Sequence, residues 1–222
     1  VFSEAYNTLI VDRMGFLGPL PRLENLMPVD NIRAYVDRKL FIHNMGHAAS
    51  AYLGYLARPE ATLLPDVLKS PGVLAEVRAA MNESADALAA EYPLALDRED
   101  LDEHIEDLIR RFQNHALGDT VYRVGRDLKR KLHKEDRLLG AVILAARHGL
   151  PRTAMETAFL SALEFRATDE EGRLFPGDED FVENHLSKGL AGVLTDVCGL
   201  DPREPVESTV YRELTERISG YR

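Results

Sequence analysis

The sequence predicts a mainly α, multi-helical single domain with a short N-terminal strand. Three observations predict it. Apolar residues recur at three- and four-residue spacings over most of the chain, and Pro and Gly cut that pattern into helix-length pieces. The β-branched and aromatic bias of a strand is confined to residues 1–11, around Tyr6-Asn7-Thr8-Leu9-Ile10-Val11. The 222 residues, 45% hydrophobic and 29% charged, are enough to bury a core.

In chain order, the strand runs into Gly15-Phe16-Leu17-Gly18-Pro19-Leu20-Pro21, a connector in which Gly and Pro break regular structure. A long helix follows over 30–56, with Ile32, Tyr35, Val36, Leu40 and Phe41 on one stripe. Asp30 is its expected N-cap and Arg58-Pro59 its stop. Further helices are expected over 63–69, 72–91, 98–113, 121–132, 134–148, 152–166, 178–186, 188–198 and 205–218. Pro71, Pro93, Gly118-Asp119, Gly149-Leu150-Pro151, residues 172–177 and Gly199-Leu200-Asp201-Pro202 punctuate them. With one strand, a parallel sheet cannot be built from this chain alone. Connectors are short and no repeat appears, so residues 1–222 read as one domain.

Several function classes fall away. The net charge of −10 argues against nucleic acid as the main partner. No apolar run approaches the ~20 residues that span a bilayer. The one cysteine, Cys198, excludes an intramolecular disulfide framework and fits a reducing, cytoplasmic compartment. It reads as a small buried filler near a helix end. The chain opens at Val1 and lacks the basic and apolar stretches of a secretion signal, so a trimmed chain or a piece of a longer polypeptide is expected. Neither G-x-G-x-x-G after a strand nor G-x-x-x-x-G-K-[ST] occurs, and the hydrolase and zinc-protease motifs are also missing.

The most informative stretch is Arg38 to Gly54. On an ideal helix with Lys39 at zero, His43 falls near ~40°, His47 near ~80° and Asn44 near ~140°, one flank over two turns. A lysine desolvated by apolar walls can take a proton from an alcohol, while Asn and His hold the same oxygen as charge develops. The plainer alternatives are a solvated surface lysine and a core histidine with its polar atoms satisfied. His43 and His47, at i and i+4, also have a metal-ligand spacing, but no third ligand follows at a recognisable one.

Lys39-x4-Asn44-x2-His47, set in R-K-L-F-I-H-N-M-G-H-A-A-S-A-Y-L-G, resembles the signature of the polyol-specific long-chain dehydrogenases, the mannitol dehydrogenase family. The opening F-x-E-x-x-x-x-x-I-V-D-R, Arg111-Phe112-Gln113-Asn114, and the stretch from Arg123 to Leu132 followed by Asp136-Arg137-Leu138 extend the resemblance over most of the chain. It is nearest to the sugar-phosphate branch. The resemblance implies a helical fold like the C-terminal domain of 6-phosphogluconate dehydrogenase, and a mechanism without metal. Lys39 would be the general base, with Asn44 and His47 binding and polarising the reacting oxygen. His43 would be a neighbour that packs or tunes Lys39.

It also implies an NAD-dependent enzyme in which an N-terminal Rossmann domain of the same polypeptide, absent from this chain, binds NAD. The chain alone would then be inactive, and the substrate would be a sugar alcohol phosphate, mannitol 1-phosphate going to fructose 6-phosphate. Rival readings are a mannitol 2-dehydrogenase or hexuronate reductase domain, and a non-catalytic helical binding or assembly module.

The basic run Arg123, Arg126, Lys129, Arg130 and Lys131 bears on that choice. On one continuous helix Arg123, Arg126 and Arg130 share a face, and guanidinium forks suit a phosphate. Arg126, Arg130 and Lys131 are the expected phosphate ligands, with His133 assisting. The alternative is a solvated basic face, or one paired with Glu103, Glu106 and Asp107.

Overall fold

The computed structural model describes residues 8–219, and the expected strand residues 1–7 lie outside them. The architecture is multi-helical, as the periodicity predicts. One correction falls at the start. Strand β1 (Leu9–Asp12) pairs in parallel with β2 (Leu26–Val29), in register from Leu9 opposite Leu26 to Asp12 opposite Val29. A two-stranded parallel sheet therefore exists where a lone strand was expected. Met27-Pro28 disguised it, because a proline inside a strand is tolerated only at an edge.

The long helix is α1 (Ile32–Arg38), a π-helical turn (Lys39–Asn44) and α2 (Met45–Ala57) in unbroken succession. Its N-cap is Asn31, whose side chain accepts the Ala34 N–H at 3.3 Å, rather than the expected Asp30. It stops where expected, with the Arg58 N–H on the Gly54 carbonyl. A π-turn disturbs the i→i−4 ladder, and here Ser84 helps to satisfy it by donating to the Phe41 carbonyl at 2.7 Å. Ser84 is fully buried on α4 (Pro71–Glu91).

Helix α2 is the hub, packed by α4, by α6 (Val121–Gly125) and by α9 (Thr153–Leu163). Small residues let it approach its neighbours: a Cβ on Gly46 would lie 2.6 Å from the Met81 sulfur. Helix α5 (Arg98–Phe112) has Asp97 as its cap, acids in its first turn and Arg110 and Arg111 in its last. That charge order complements the helix dipole.

The expected helix over 121–132 is broken. After α6 the chain turns at Asp127, which has φ 73°, and restarts as the short α7 (Leu128–Lys131). The buried Asp178 carboxylate makes the turn possible by accepting the N–H groups of Asp127 (3.0 Å) and Leu128 (2.6 Å). Burial holds that carboxyl above the usual range, against the pull of the two donors. The remaining elements are α3 (Leu64–Val67), α8 (Leu139–Arg147), α10 (Pro176–Asp180), α11 (Gly189–Gly192) and α12 (Pro205–Ser219). The expected helices over 178–186 and 188–198 pass into π-turns at Phe181–His185 and Val193–Val197. Cys198 is buried as expected, its thiol pushed up to about 12 by burial.

One junction fixes α6 on α2. The fully buried Tyr52 donates its hydroxyl to the Gly125 carbonyl at 2.8 Å, and a Cβ on Gly125 would meet the Phe165 ring at 2.2 Å. That ring is wedged edge-on between Tyr52 and Tyr55, so it has nowhere to go. Gly125→Val is expected to destabilise the domain by about 3 kcal/mol through overpacking, measured by urea unfolding. A change below about 0.5 kcal/mol, the size of an ordinary surface substitution, would contradict this packing.

Candidate active site

The π-turn decides where the candidate residues point. One extra residue in a turn rotates everything after it back by about 100° relative to an ideal α-helix. Asn44 therefore moves from ~140° to about 40° from Lys39, and His47 from ~80° to about −20°. A flank that ideal helical arithmetic leaves broad becomes a narrow row.

Lys39 and His43 line a cavity of about 360 Å³ whose other walls include Ile10 of β1, Val36, His104 and Arg111. His43, His47 and Arg111 also line an adjoining cavity of about 260 Å³, with Phe112, Asp119 and Arg123. His43 and Arg111 thus line both, and Lys39 and His47 border neighbouring cavities that share these two walls. Asn44 is half-buried at the end of the π-turn and lines neither cavity.

Lys39 itself is exposed. The apolar walls of its cavity, Ile10, Ile32 and Val36 among them, leave it exposed rather than enclosing it as expected. His104, across the same cavity, is different: burial, assisted by the Arg38 charge, lowers it to about 4, so it is neutral at pH 7. The His47 ring stacks on Phe112 with centroids 4.8 Å apart and planes 15° apart. Its Nε2 lies 2.9 Å from Asp119 Oδ2. Arg123 pairs with the other oxygen of that carboxylate. The His43 and His47 rings are 6.3 Å apart, and among the described residues no three His, Cys, Asp or Glu side chains converge as a metal would need.

The basic run is not one helical face, because the Asp127 turn divides it. Arg126 lies over the rings of Tyr122 and Phe175. Arg130 pairs with Asp127 and Asp136, and Lys129 with Asp180. Lys131 is buried, and its ammonium donates to the carbonyls of Val124 and Arg126. His133 accepts the Glu135 N–H in a local turn. None of Arg126, Arg130, Lys131 and His133 lines the cleft; Arg123 does. The pairing alternative is right in kind but not in its acids: Glu106 serves Arg78, and Asp107 serves Arg110 and Arg111.

Sequence reading gave Arg111 and Phe112 only as part of the family resemblance, with no role at the site, and missed His104 and Asp119. Phe112 and Arg111 end α5, where a basic last turn has the ordinary explanation of the helix dipole. Asp119 looked like a breaker beside Gly118. Nothing local indicates that it meets a histidine 72 residues away.

The fold and the cleft define a helical domain that presents a lysine and a histidine, ringed by arginines, on an open face. The mannitol dehydrogenase C-terminal domain profile matches residues 31–193, more than half of the sequence. The chain belongs to the mannitol dehydrogenase family as its C-terminal domain. Its fold is similar to that of Pseudomonas fluorescens mannitol 2-dehydrogenase, solved as a ternary complex with NAD and D-mannitol, with a TM-score of 0.61 and 20% identity. The match covers 86% of this chain and 39% of that one, so the chain spans well under half the length of that enzyme. No helix among the described residues is long and apolar enough to cross a membrane.

Proposed function

We propose that this chain is the substrate-binding and catalytic domain of an NAD-dependent polyol dehydrogenase of the mannitol-1-phosphate 5-dehydrogenase kind, acting between mannitol 1-phosphate and fructose 6-phosphate. The observation that supports the reading is that Lys39, which opens the π-turn, and His47, which follows it, line neighbouring cavities that share His43 and Arg111. Lys39 takes the proton from the reacting hydroxyl, and His47 holds that oxygen, with Asn44 beside it on the same turn. Charge developing on the oxygen is then met by the protonated His47 ring, whose second nitrogen donates once it carries a proton.

These residues do not form a dinucleotide cradle. β1 leads into a 3-10 turn at Arg13–Gly15 and a proline-rich connector, not into a helix N-terminus. NAD, the hydride acceptor, is accordingly assigned to a Rossmann domain of the same polypeptide outside this chain.

We place the substrate phosphate at Arg111 and Arg123, which line the cavities beside Lys39 and His47, rather than at Arg126, Arg130 and Lys131, which line neither. The carboxylates already paired with Arg111 and Arg123 favour a second reading, a free polyol or hexuronate substrate. The two are separated in the complete enzyme by following nicotinamide reduction with mannitol 1-phosphate and with mannitol. Under the phosphate reading, Arg123→Ala raises KM for mannitol 1-phosphate at least ~10-fold more than for mannitol, the loss of one charge-assisted contact. Arg130→Ala discriminates little. Equal effects of Arg123→Ala on both substrates would assign the free polyol.

A further inference from the structure

His47 is held by a residue that is itself held. The Asp119 side chain is 12% exposed, and its carboxylate lies 2.9 Å from the imidazole Nε2. The main chain around it is pinned: the Asp119 carbonyl accepts the Leu64 N–H at 2.9 Å, and the Val121 N–H reaches the Thr62 carbonyl at 2.9 Å. Leu63 and Thr120 form an antiparallel bridge, and Gly118 supplies the left-handed turn (φ 63°) that brings the chain in. One residue on, the Thr120 hydroxyl caps α6 by accepting the Arg123 N–H at 3.1 Å. Arg123 then returns its guanidinium to the second oxygen of Asp119.

A carboxylate only accepts hydrogen bonds, so the nitrogen facing it must carry the proton. The partner of one ring nitrogen decides the state of the other. Phe112, stacked at 15°, fixes the plane of the ring. We infer that Asp119 is a positioning residue for His47, holding its imidazole as the Nε2–H tautomer in one plane and favouring its protonated form at the cleft. This rests on the reading of His47 as an oxygen ligand only for its catalytic meaning. The coupling itself stands on the geometry.

The other charged and titratable groups on this cavity are Arg111 of α5, Arg123 of α6 and His43 of the π-turn. The two guanidiniums oppose a positive charge on His47, so Asp119 supplies the carboxylate that offsets them.

The test is the 15N spectrum of the His47 ring through a pH titration of this chain. In the unaltered protein the neutral ring is expected as the single Nε2–H tautomer. Asp119→Asn removes the charge and keeps the shape, and is expected to lower the protonation midpoint by about one unit or more, the effect of an opposite charge within ~4–6 Å. Asp119→Ala removes the acceptor and is expected to give a mixture of tautomers. Asp119→Glu restores much of the midpoint. Unmoved His148 and His185 resonances verify that the variants are folded. An unchanged midpoint in Asp119→Asn together with an unchanged tautomer in Asp119→Ala would overturn the inference.

In the complete enzyme, Asp119→Asn is expected to lower kcat by about 10-fold or more, one unit or more of lost preference for the protonated ring, with recovery in Asp119→Glu. If the ring responds in the spectrum while turnover does not, the coupling holds and the assignment of His47 to polyol chemistry fails.

Discussion

Lys39→Ala in the complete enzyme is expected to lower polyol oxidation by about 10²–10⁴-fold, the usual contribution of a general base. The fold should barely notice. Lys39 is exposed, and alanine is a good helix former, so unfolding should shift by less than about 0.5 kcal/mol. Such a split between activity and stability is diagnostic, because most substitutions that abolish turnover indirectly do so by loosening the fold. Lys39→Arg sharpens it. The guanidinium keeps the charge and reach but stays protonated throughout the accessible pH range, so it cannot accept the hydroxyl proton. If Lys39 worked by charge alone, as a substrate anchor, the arginine variant would retain most of its turnover. Near-normal rates in Lys39→Ala would remove the assignment altogether. Steady-state rates in both directions, beside urea unfolding of the same preparations, make the measurement.

The contrast between Lys39 and its surroundings shows what the sequence could and could not tell. The long helix was legible because an apolar stripe from Ile32 to Phe41 and the Arg58-Pro59 stop are local signals. Lys39, Asn44 and His47 were legible as a set by their resemblance to the family signature. The π-turn that lines them up was not, since an extra residue in a turn leaves no mark on composition or spacing. The Asp127 break was hidden for a related reason. Few residues other than glycine take a left-handed conformation, and although aspartate is among those that do, it is fixed there here because Asp178, 51 residues away, binds the freed N–H groups. That single non-local contact ended the expected basic face. The acids that neutralise the run, Asp119, Asp127, Asp136 and Asp180, are distributed along the chain, so proximity in sequence to Glu103, Glu106 and Asp107 was misleading.

Lys131 gives a large pH-dependent stability effect, and its sign follows from its burial. The side chain is buried beneath α6, where desolvation, reinforced by the charges of Arg137 and Arg130, lowers it from 10.5 to about 7. The unfolded chain keeps its proton until about 10.5, so between about 7 and 10.5 the unfolded state binds more protons than the folded one. Stability must therefore rise with pH across that window. Below it both states carry the charge and the full cost of burying an ammonium is felt; above it both are neutral and the cost is gone.

The shift alone corresponds to on the order of 5 kcal/mol, but hydrogen bonds to the carbonyls of Val124 and Arg126 favour the charged form, so roughly 3 kcal/mol is expected. Other groups titrate at alkaline pH, and Lys131→Met isolates the effect by keeping the length and losing the charge. From pH 7 to pH 10 the wild-type chain should gain about 3 kcal/mol on Lys131→Met in urea unfolding. A constant difference between the two would mean that the folded lysine keeps its ordinary affinity for the proton. The consequence reaches the cleft: the carbonyls that Lys131 holds are at the end of α6, whose first turn carries Arg123 next to Asp119. A lysine that sequence reading assigned to the substrate instead supports the helix on which the site is built.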